Sequence, residues 1–114
     1  MSWYAIYPFD RLPVDRGVCV LVDGEQVALV RTHDGSLYAV DNLDPFSGAM
    51  VMSRGIVGSR GDRDVLMSPM HKQAYDLATG QCLEEPEIWL PVHDVRVVDG
   101  MVEVGLAGAV RQLA

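Results

Sequence analysis

Three Asp-Gly pairs, each lying between short runs rich in β-branched residues, constrain the fold of this chain more than any other feature. They are Asp23-Gly24, Asp34-Gly35 and Asp99-Gly100. Both residues of such a pair tolerate a positive φ, which a two-residue turn between antiparallel strands requires. Seventeen valines among the 114 residues add to the preference for strands. The sequence therefore predicts an all-β chain with three hairpins.

Eight strands follow from the runs between turn signals, with ends uncertain by about two to four residues. They are Trp3–Pro8, Val18–Val22, Gln26–Arg31, Leu37–Val40, Asp64–Met67, Gln73–Leu77, Val92–Val98 and Met101–Gly105. In the last hairpin, alternation places Val95 and Val97 on the inner face together with His93. Short antiparallel strands in this number are typical of a small barrel or sandwich. We expect one domain over residues 1–114, with residues 106–114 as a tail or short helix.

Charge and hydropathy exclude several classes of function. Sixteen acidic residues against nine basic ones give a net charge of −7, the wrong sign for binding a phosphate backbone. Apolar runs such as Val18–Val22 are about five residues long, far short of the roughly 20 that a membrane-spanning helix needs. The N-terminal segment lacks the pattern of a secretory signal, so we expect a cytoplasmic protein without nucleic-acid or membrane partners.

The segment between Asn42 and Asp64 interrupts the strand pattern with one proline and four glycines. Such a segment predicts a long irregular loop, where function often resides. Its glycines lack the Lys-Ser/Thr of a phosphate-binding loop, so we interpret them as backbone-geometry residues. The two cysteines, Cys19 and Cys82, form no metal-binding pair and predict reduced, partly buried thiols, although a disulfide between them remains open.

Two short segments stand out together in and after this loop. Asp44-Pro45-Phe46 is followed, after one predicted strand, by Ser68-Pro69-Met70-His71 and then by Tyr75-Asp76 and Thr79-Gly80. This order resembles the two cluster-binding loops of Rieske iron–sulfur domains, C-P-H and C-P-x-H-x-x-x-[FY]-D-x-x-T-G. The resemblance implies a Rieske-like fold with two tip loops.

The residues at the four ligand positions are changed. A Rieske [2Fe–2S] centre needs two thiolates on one iron and two imidazoles on the other. Here the four positions hold Asp44, Phe46, Ser68 and His71, of which only His71 keeps its type. A carboxylate, a phenyl ring and a neutral hydroxyl are poor substitutes for soft donors. We therefore predict vestigial cluster loops, without an iron–sulfur cluster or another metal in this chain.

Four segments, two of which contain the loop residues named above, make the resemblance specific to one family. They are Val40–Phe46, Val51–Gly58, Ser68–Gln73 and Gly80–Glu84. Together they resemble the small subunit of the cytoplasmic NAD(P)H-dependent nitrite reductase across nearly the whole chain. This resemblance implies a non-catalytic partner of a large subunit that carries FAD, an iron–sulfur cluster and sirohaem and reduces nitrite to ammonium. Nitrogen metabolism and nitrate assimilation would be its setting.

Individual residues carry two interpretations each. Asp41 and Asp44 are predicted to be turn residues that accept backbone N–H bonds, with a metal-binding or acid–base role as the alternative. His33 and His93 are not expected to share a metal site with His71. An exposed partner-binding patch at the tip would consist of Phe46, Met50, Met52, Arg54 and Met70, or else Phe46 and Met70 fill a small local core. Arg54, Arg60 and Arg63 either pair with a partner's carboxylates or are solvated.

Two other functions stay open on the sequence. One is a Rieske-type, ferredoxin-like electron carrier or oxygenase component that has recruited a different metal through His71 and Asp44. The other is a regulatory or scaffold module of another oxidoreductase.

Overall fold

The computed structural model describes residues 2–70 and 72–106 and contains nine strands and two short 3₁₀ turns. The strands are β1 Tyr4–Pro8, β2 Arg16–Val22, β3 Glu25–Arg31, β4 Leu37–Asp41, β5 Ile56–Arg60, β6 Arg63–Met67, β7 Ala74–Asp76, β8 Val92–Val98 and β9 Met101–Gly105. The 3₁₀ turns are Phe9–Arg11 and Met52–Arg54. All eight predicted strands are present, and residues 107–114 of the tail predicted over residues 106–114 lie outside the described residues. No helix among the described residues has the length and apolar character that membrane crossing demands.

The strands form two antiparallel sheets. Six strands pair in the order β1-β9-β8-β4-β3-β2, and three pair in the order β5-β6-β7. The larger sheet is nearly closed, so the predicted all-β class is confirmed. Tyr38 on β4 ties the sheets together by donating a hydrogen bond of 2.7 Å to Asp64 on β6. Burial, together with this hydrogen bond, raises the pKa of Tyr38 to about 12, so the phenol remains a donor at neutral pH.

All three Asp-Gly pairs form the predicted hairpin turns, by two geometries. At Asp23-Gly24 and Asp99-Gly100 both residues have positive φ. In the Asp34-Gly35 turn only the glycine does, and the Asp34 carboxylate instead accepts hydrogen bonds from Thr32 and Ser36. Hydrogen bonds to the Asp34 side chain therefore stabilise this turn, whereas the other two turns have positive φ at both residues.

The prediction of one long loop from Asn42 to Asp64 was wrong in its second half. Residues Ile56–Arg60 form β5, which pairs with β6 across a turn in which Gly61 has a φ of 65°. This strand carries no alternating apolar pattern, because Ile56 is exposed and Gly58 has no side chain. Its pairing with β6 is a tertiary effect that sequence periodicity does not record.

Two apolar clusters make the core. One lies between the large sheet's β2, β3 and β9, and the other lies beneath the two loops. The second cluster includes Met52, Leu66, Tyr75, Leu77 and Leu90, all essentially inaccessible to solvent. Each such side chain contributes roughly 1.5–3 kcal/mol by burial. The loops therefore rest on a packed floor.

The inward placement of Val97 was wrong. Val97 is 45% exposed, because β4 pairs with β8 only at Val92 and His93. After His93, β8 no longer pairs with β4, and this part of the β8–β9 hairpin extends past the neighbouring strand.

Two glycines set the close packing around the Met52–Arg54 turn. A Cβ on Gly17 of β2 would lie 2.5 Å from the carbonyl oxygen of Ser53, and one on Gly55 would lie 2.4 Å from that of Met67. Real Cβ atoms do not approach oxygen so closely. Only glycine at these two positions therefore lets the Met52–Arg54 turn pack against β2 and the end of β6. This packing fixes the base of the first loop.

Candidate functional site

The candidate site lies where the chain leaves two strands, one from each sheet. The first loop, residues 42–51, follows β4, and the second, residues 68–73, follows β6. Each loop closes on itself: the Asp44 amide donates to the Ala49 carbonyl, and the Ser68 amide donates to the Gln73 carbonyl. The two loops thus form compact, adjacent tips.

A buried carboxylate and a buried hydroxyl join the two tips. Ser68 Oγ donates to Asp44 Oδ2 over 2.5 Å, and the Met70 amide donates to Ser68 Oγ over 3.1 Å. The other carboxylate oxygen, Oδ1, accepts from the amides of Phe46 and Ser47 at 2.9 and 3.4 Å. We call the Asp44–Ser68 pair the loop clip. It stands at the two positions where the Rieske pattern has cysteine.

The charge on the loop clip is stabilised by its hydrogen bonds. Burial on its own raises the pKa of Asp44, but the hydrogen bonds from Ser68 and from the Phe46 and Ser47 amides outweigh it and leave the pKa below its ordinary value. Asp44 is therefore an ionised acceptor at neutral pH. Charge-assisted bonds of this kind are among the stronger hydrogen bonds in proteins. The prediction that Asp44 is a turn residue is confirmed, and the sequence did not reveal its bond to Ser68.

Asn42 anchors the first loop to the large sheet. Its Nδ2 donates to Gln26 Oε1 at 2.9 Å and lies 3.5 Å from Cys19 Sγ, while its Oδ1 accepts from the Ser53 amide at 2.7 Å. Its backbone carbonyl also accepts from the Met52 amide. Both ends of the amide are thus used, and the residue is buried. Its position two residues before Asp44 in a turn-rich segment is the one signal that could have identified it.

Asp41 has a different role from the predicted turn residue. It ends β4 and its Oδ1 lies 2.7 Å from His93 Nε2 on β8, with both residues buried. His93 is thus fully buried, on the inner face where the alternation of the strand placed it. His33 lies apart, exposed and 3.4 Å from Asp15. His71 lies outside the described residues.

The described residues do not fit a [2Fe–2S] cluster. Phe46 has no donor atom, and both oxygens of Asp44 and the hydroxyl of Ser68 are engaged with each other or with amides. The Tyr75 hydroxyl beneath the loops is a poor ligand, because burial and the nearby charge of Asp44 raise its pKa above the ordinary value. Among residues 2–70 and 72–106, no group of three or more His, Cys, Asp or Glu side chains could hold a metal ion. The hydrogen bonds of the loop clip hold the two loops together, and no redox step follows from them.

The predicted interface residues divide into two groups. Phe46, Met50 and Met70 are 39%, 50% and 53% exposed, so they do not fill a local core. Met52, however, is completely buried beneath the loops, and its side chain is not available to a partner. Its neighbour Arg54 is exposed at the end of the 3₁₀ turn.

The two cysteines also differ from each other. Cys82 is buried, as expected, whereas Cys19 is exposed, and both are free thiols. Side chains on β2 alternate between the core and solvent, and Cys19 falls on the solvent phase between half-buried Val18 and buried Val20.

The other two arginines of the predicted basic group are paired within the chain. Arg60 lies 3.6 Å from Glu84, and Arg63 lies 3.8 Å from Asp76.

Comparison with known proteins agrees with this geometry. Residues 2–105 match the family model described as Rieske-like [2Fe-2S] domain. The small subunit of NADH nitrite reductase from Salmonella typhimurium is 37% identical over 104 residues, which cover 90% of this chain and 96% of that protein. A crystal structure from Mycobacterium tuberculosis, described as an NADH-dependent nitrite reductase small subunit, is 51% identical with a TM-score of 0.87 and covers 90% of this chain and 93% of that one.

A longer relative contains the same domain. The nitrite reductase [NAD(P)H] large subunit of Klebsiella oxytoca is 37% identical over 103 residues, which cover 90% of this chain and 11% of that protein. These matches span nearly all the described residues. The chain therefore belongs to the Rieske-like domain family and, within it, to the small subunits of NADH-dependent nitrite reductase.

Proposed function

We propose that this chain is the accessory, non-catalytic subunit of an NAD(P)H-dependent nitrite reductase. It binds a large subunit and supports the reduction of nitrite to ammonium there. The chemistry belongs to the large subunit, which is expected to carry FAD, an iron–sulfur cluster and sirohaem. The chain itself is expected to hold no cofactor and to work in the cytoplasm.

The Klebsiella oxytoca relative is the observation that carries this proposal. In that protein a domain similar to this chain is part of a polypeptide named as the large subunit. A domain that occurs within another chain in one organism and as a separate chain in others is commonly a partner of that chain. This chain and the large subunit are therefore expected to be in physical contact.

The loop clip supports a binding role over an electron-transfer role. An electron carrier of this fold needs donors for a cluster at the tip. Here the corresponding residues hold the loops in place through hydrogen bonds, and Phe46 contributes a hydrophobic surface. The electron-carrier alternative would need a metal held without those donors. The scaffold alternative differs only in the identity of the partner.

Co-expression with the large subunit from the same source tests the proposal. With an affinity tag on the large subunit only, the chain should co-purify and remain bound through a salt wash. The complex should oxidise NADH or NADPH in a nitrite-dependent manner and yield ammonium, at a higher rate than the large subunit alone. Failure to co-purify at low and moderate salt, together with an unchanged rate when the chain is added, would overturn the proposal.

A further inference from the structure

The ends of the two loops carry a concentration of exposed apolar side chains. Four of the ten large apolar side chains that are exposed in the described part of the chain lie here: Leu43, Phe46, Met50 and Met70. We call these four residues the tip patch. Exposed apolar groups scattered singly are ordinary on a protein surface, but a cluster of them typically marks an interaction site.

The tip patch is held rigid from below. The amides of Phe46 and Met70 both donate to atoms of the loop clip, so one hydrogen-bonded chain fixes the backbone beneath both side chains. Leu43 and Met50 face each other across an antiparallel bridge within the first loop. A preorganised surface loses little conformational entropy on binding, while the flexible methionines adapt to the opposing surface.

An exposed basic residue lies in or next to each of the two loops in the chain. Lys72 follows Met70 in the second loop and Arg54 follows the first loop; both are exposed, and neither has an ion-pair partner in the part of the chain that the structure describes. These two positive charges complement a partner surface that carries acidic groups.

We infer that the tip patch is the surface through which this chain docks onto the large subunit, an inference that rests on the proposed function. The opposing surface on the large subunit is apolar at its centre. It carries acidic groups opposite Arg54 and Lys72. The loop clip thereby serves the complex by presenting Phe46 and Met70 at a fixed spacing.

A binding titration with single variants tests this assignment. Phe46→Asp and Met70→Asp each place a charge in the apolar centre and should raise the dissociation constant for the large subunit at least about tenfold, as substitutions at the centre of an interface do. Val97→Asp is the matched control, since Val97 is 45% exposed on β8. The antiparallel register with β4 places Val97 at the end of the sheet away from the tip, so its affinity should match that of the unaltered chain.

The thermal unfolding midpoint of each isolated variant shows whether the fold survives, and it should stay close to that of the unaltered chain because these side chains are exposed. A second pair, Arg54→Glu and Lys72→Glu, should weaken binding at low salt and reduce its dependence on ionic strength. If the tip variants bind as tightly as Val97→Asp does, the docking site is elsewhere and the inference is overturned while the proposed function stands. If the unaltered chain does not bind the large subunit at all, the proposed function fails, and the inference with it.

Discussion

Removing the hydroxyl of Ser68 should destabilise the chain by breaking the loop clip. In Ser68→Ala the buried Asp44 carboxylate loses a charge-assisted donor, and the Met70 amide loses its acceptor. A hydrogen bond to a charged group contributes about 1.5–3 kcal/mol, and a half-buried amide that can turn to water adds up to about 1 kcal/mol. We therefore expect a loss of about 2–4 kcal/mol in the free energy of unfolding. Domains of this size have about 5–15 kcal/mol, so the variant should still fold.

The pH dependence of this loss identifies its origin. The pKa of folded Asp44 lies below the ordinary value of 3.8, so its ionised form stabilises the fold above that pH. That contribution is lost as the pH falls through the lowered pKa. Because the Ser68 hydroxyl supplies part of the lowering, the difference between Ser68→Ala and the unaltered chain should be full near pH 7 and smaller at about pH 3.

Urea unfolding followed by circular dichroism at both pH values measures this difference. Ser59→Ala is the matched control: Ser59 is exposed on β5, so its substitution should change the free energy of unfolding by less than about 0.5 kcal/mol. A loss for Ser68→Ala no larger than that of Ser59→Ala, or one that is equal at both pH values, would refute the account of the loop clip.

Three further outcomes follow from the structure. Gly80→Ala should destabilise the fold by more than about 2 kcal/mol in urea unfolding, since Gly80 has a φ of 86° and its Cβ would lie 2.0 Å from a carbonyl oxygen; Gly58→Ala, where nothing lies within 4 Å, is the control and should be nearly neutral. His93→Ala removes one side of a buried pair and should cost about 3 kcal/mol by the same measurement; a cost below about 1 kcal/mol would contradict that pairing. A thiol reagent should modify Cys19 in the folded protein and Cys82 only after unfolding, and rapid modification of both would contradict the burial of Cys82.

The hairpins could be predicted because their signal is local. An Asp-Gly pair specifies its own turn, and at Asp23-Gly24 and Asp99-Gly100 the backbone adopts the expected positive φ values. Strand β5 could not be predicted in the same way. Its exposed Ile56 and its Gly58 break the alternation, and the strand exists because β6 offers a partner edge.

The candidate site, too, could be predicted only in part from the sequence. The sequence framework identified the two loops and the altered residues at Asp44, Phe46 and Ser68. It did not indicate that Asp44 and Ser68 bond to each other, because 24 residues separate them. The Asp41–His93 pair spans 52 residues and was missed for the same reason. Long-range polar contacts carry no periodic signal in the sequence.

Composition did not predict which of the methionines near the loops are buried. Met50, Met52 and Met70 lie in or next to the two loops and look alike in sequence, yet Met52 lies in the core and the other two are half-exposed. The difference arises because the Met52–Arg54 turn packs against Gly17 of β2, which turns Met52 inward. Only the placement of the turn against the sheet decides this.

The visible absorption spectrum of the isolated chain, after anaerobic incubation with ferrous iron and sulfide and removal of the excess, tests the central claim most directly. The claim is that the loop clip occupies the positions where a Rieske domain binds its cluster, so that this chain acts as a binding subunit without a cluster. We expect the aromatic protein band alone. Charge-transfer bands of a [2Fe–2S] centre, with about two irons per chain, would contradict it.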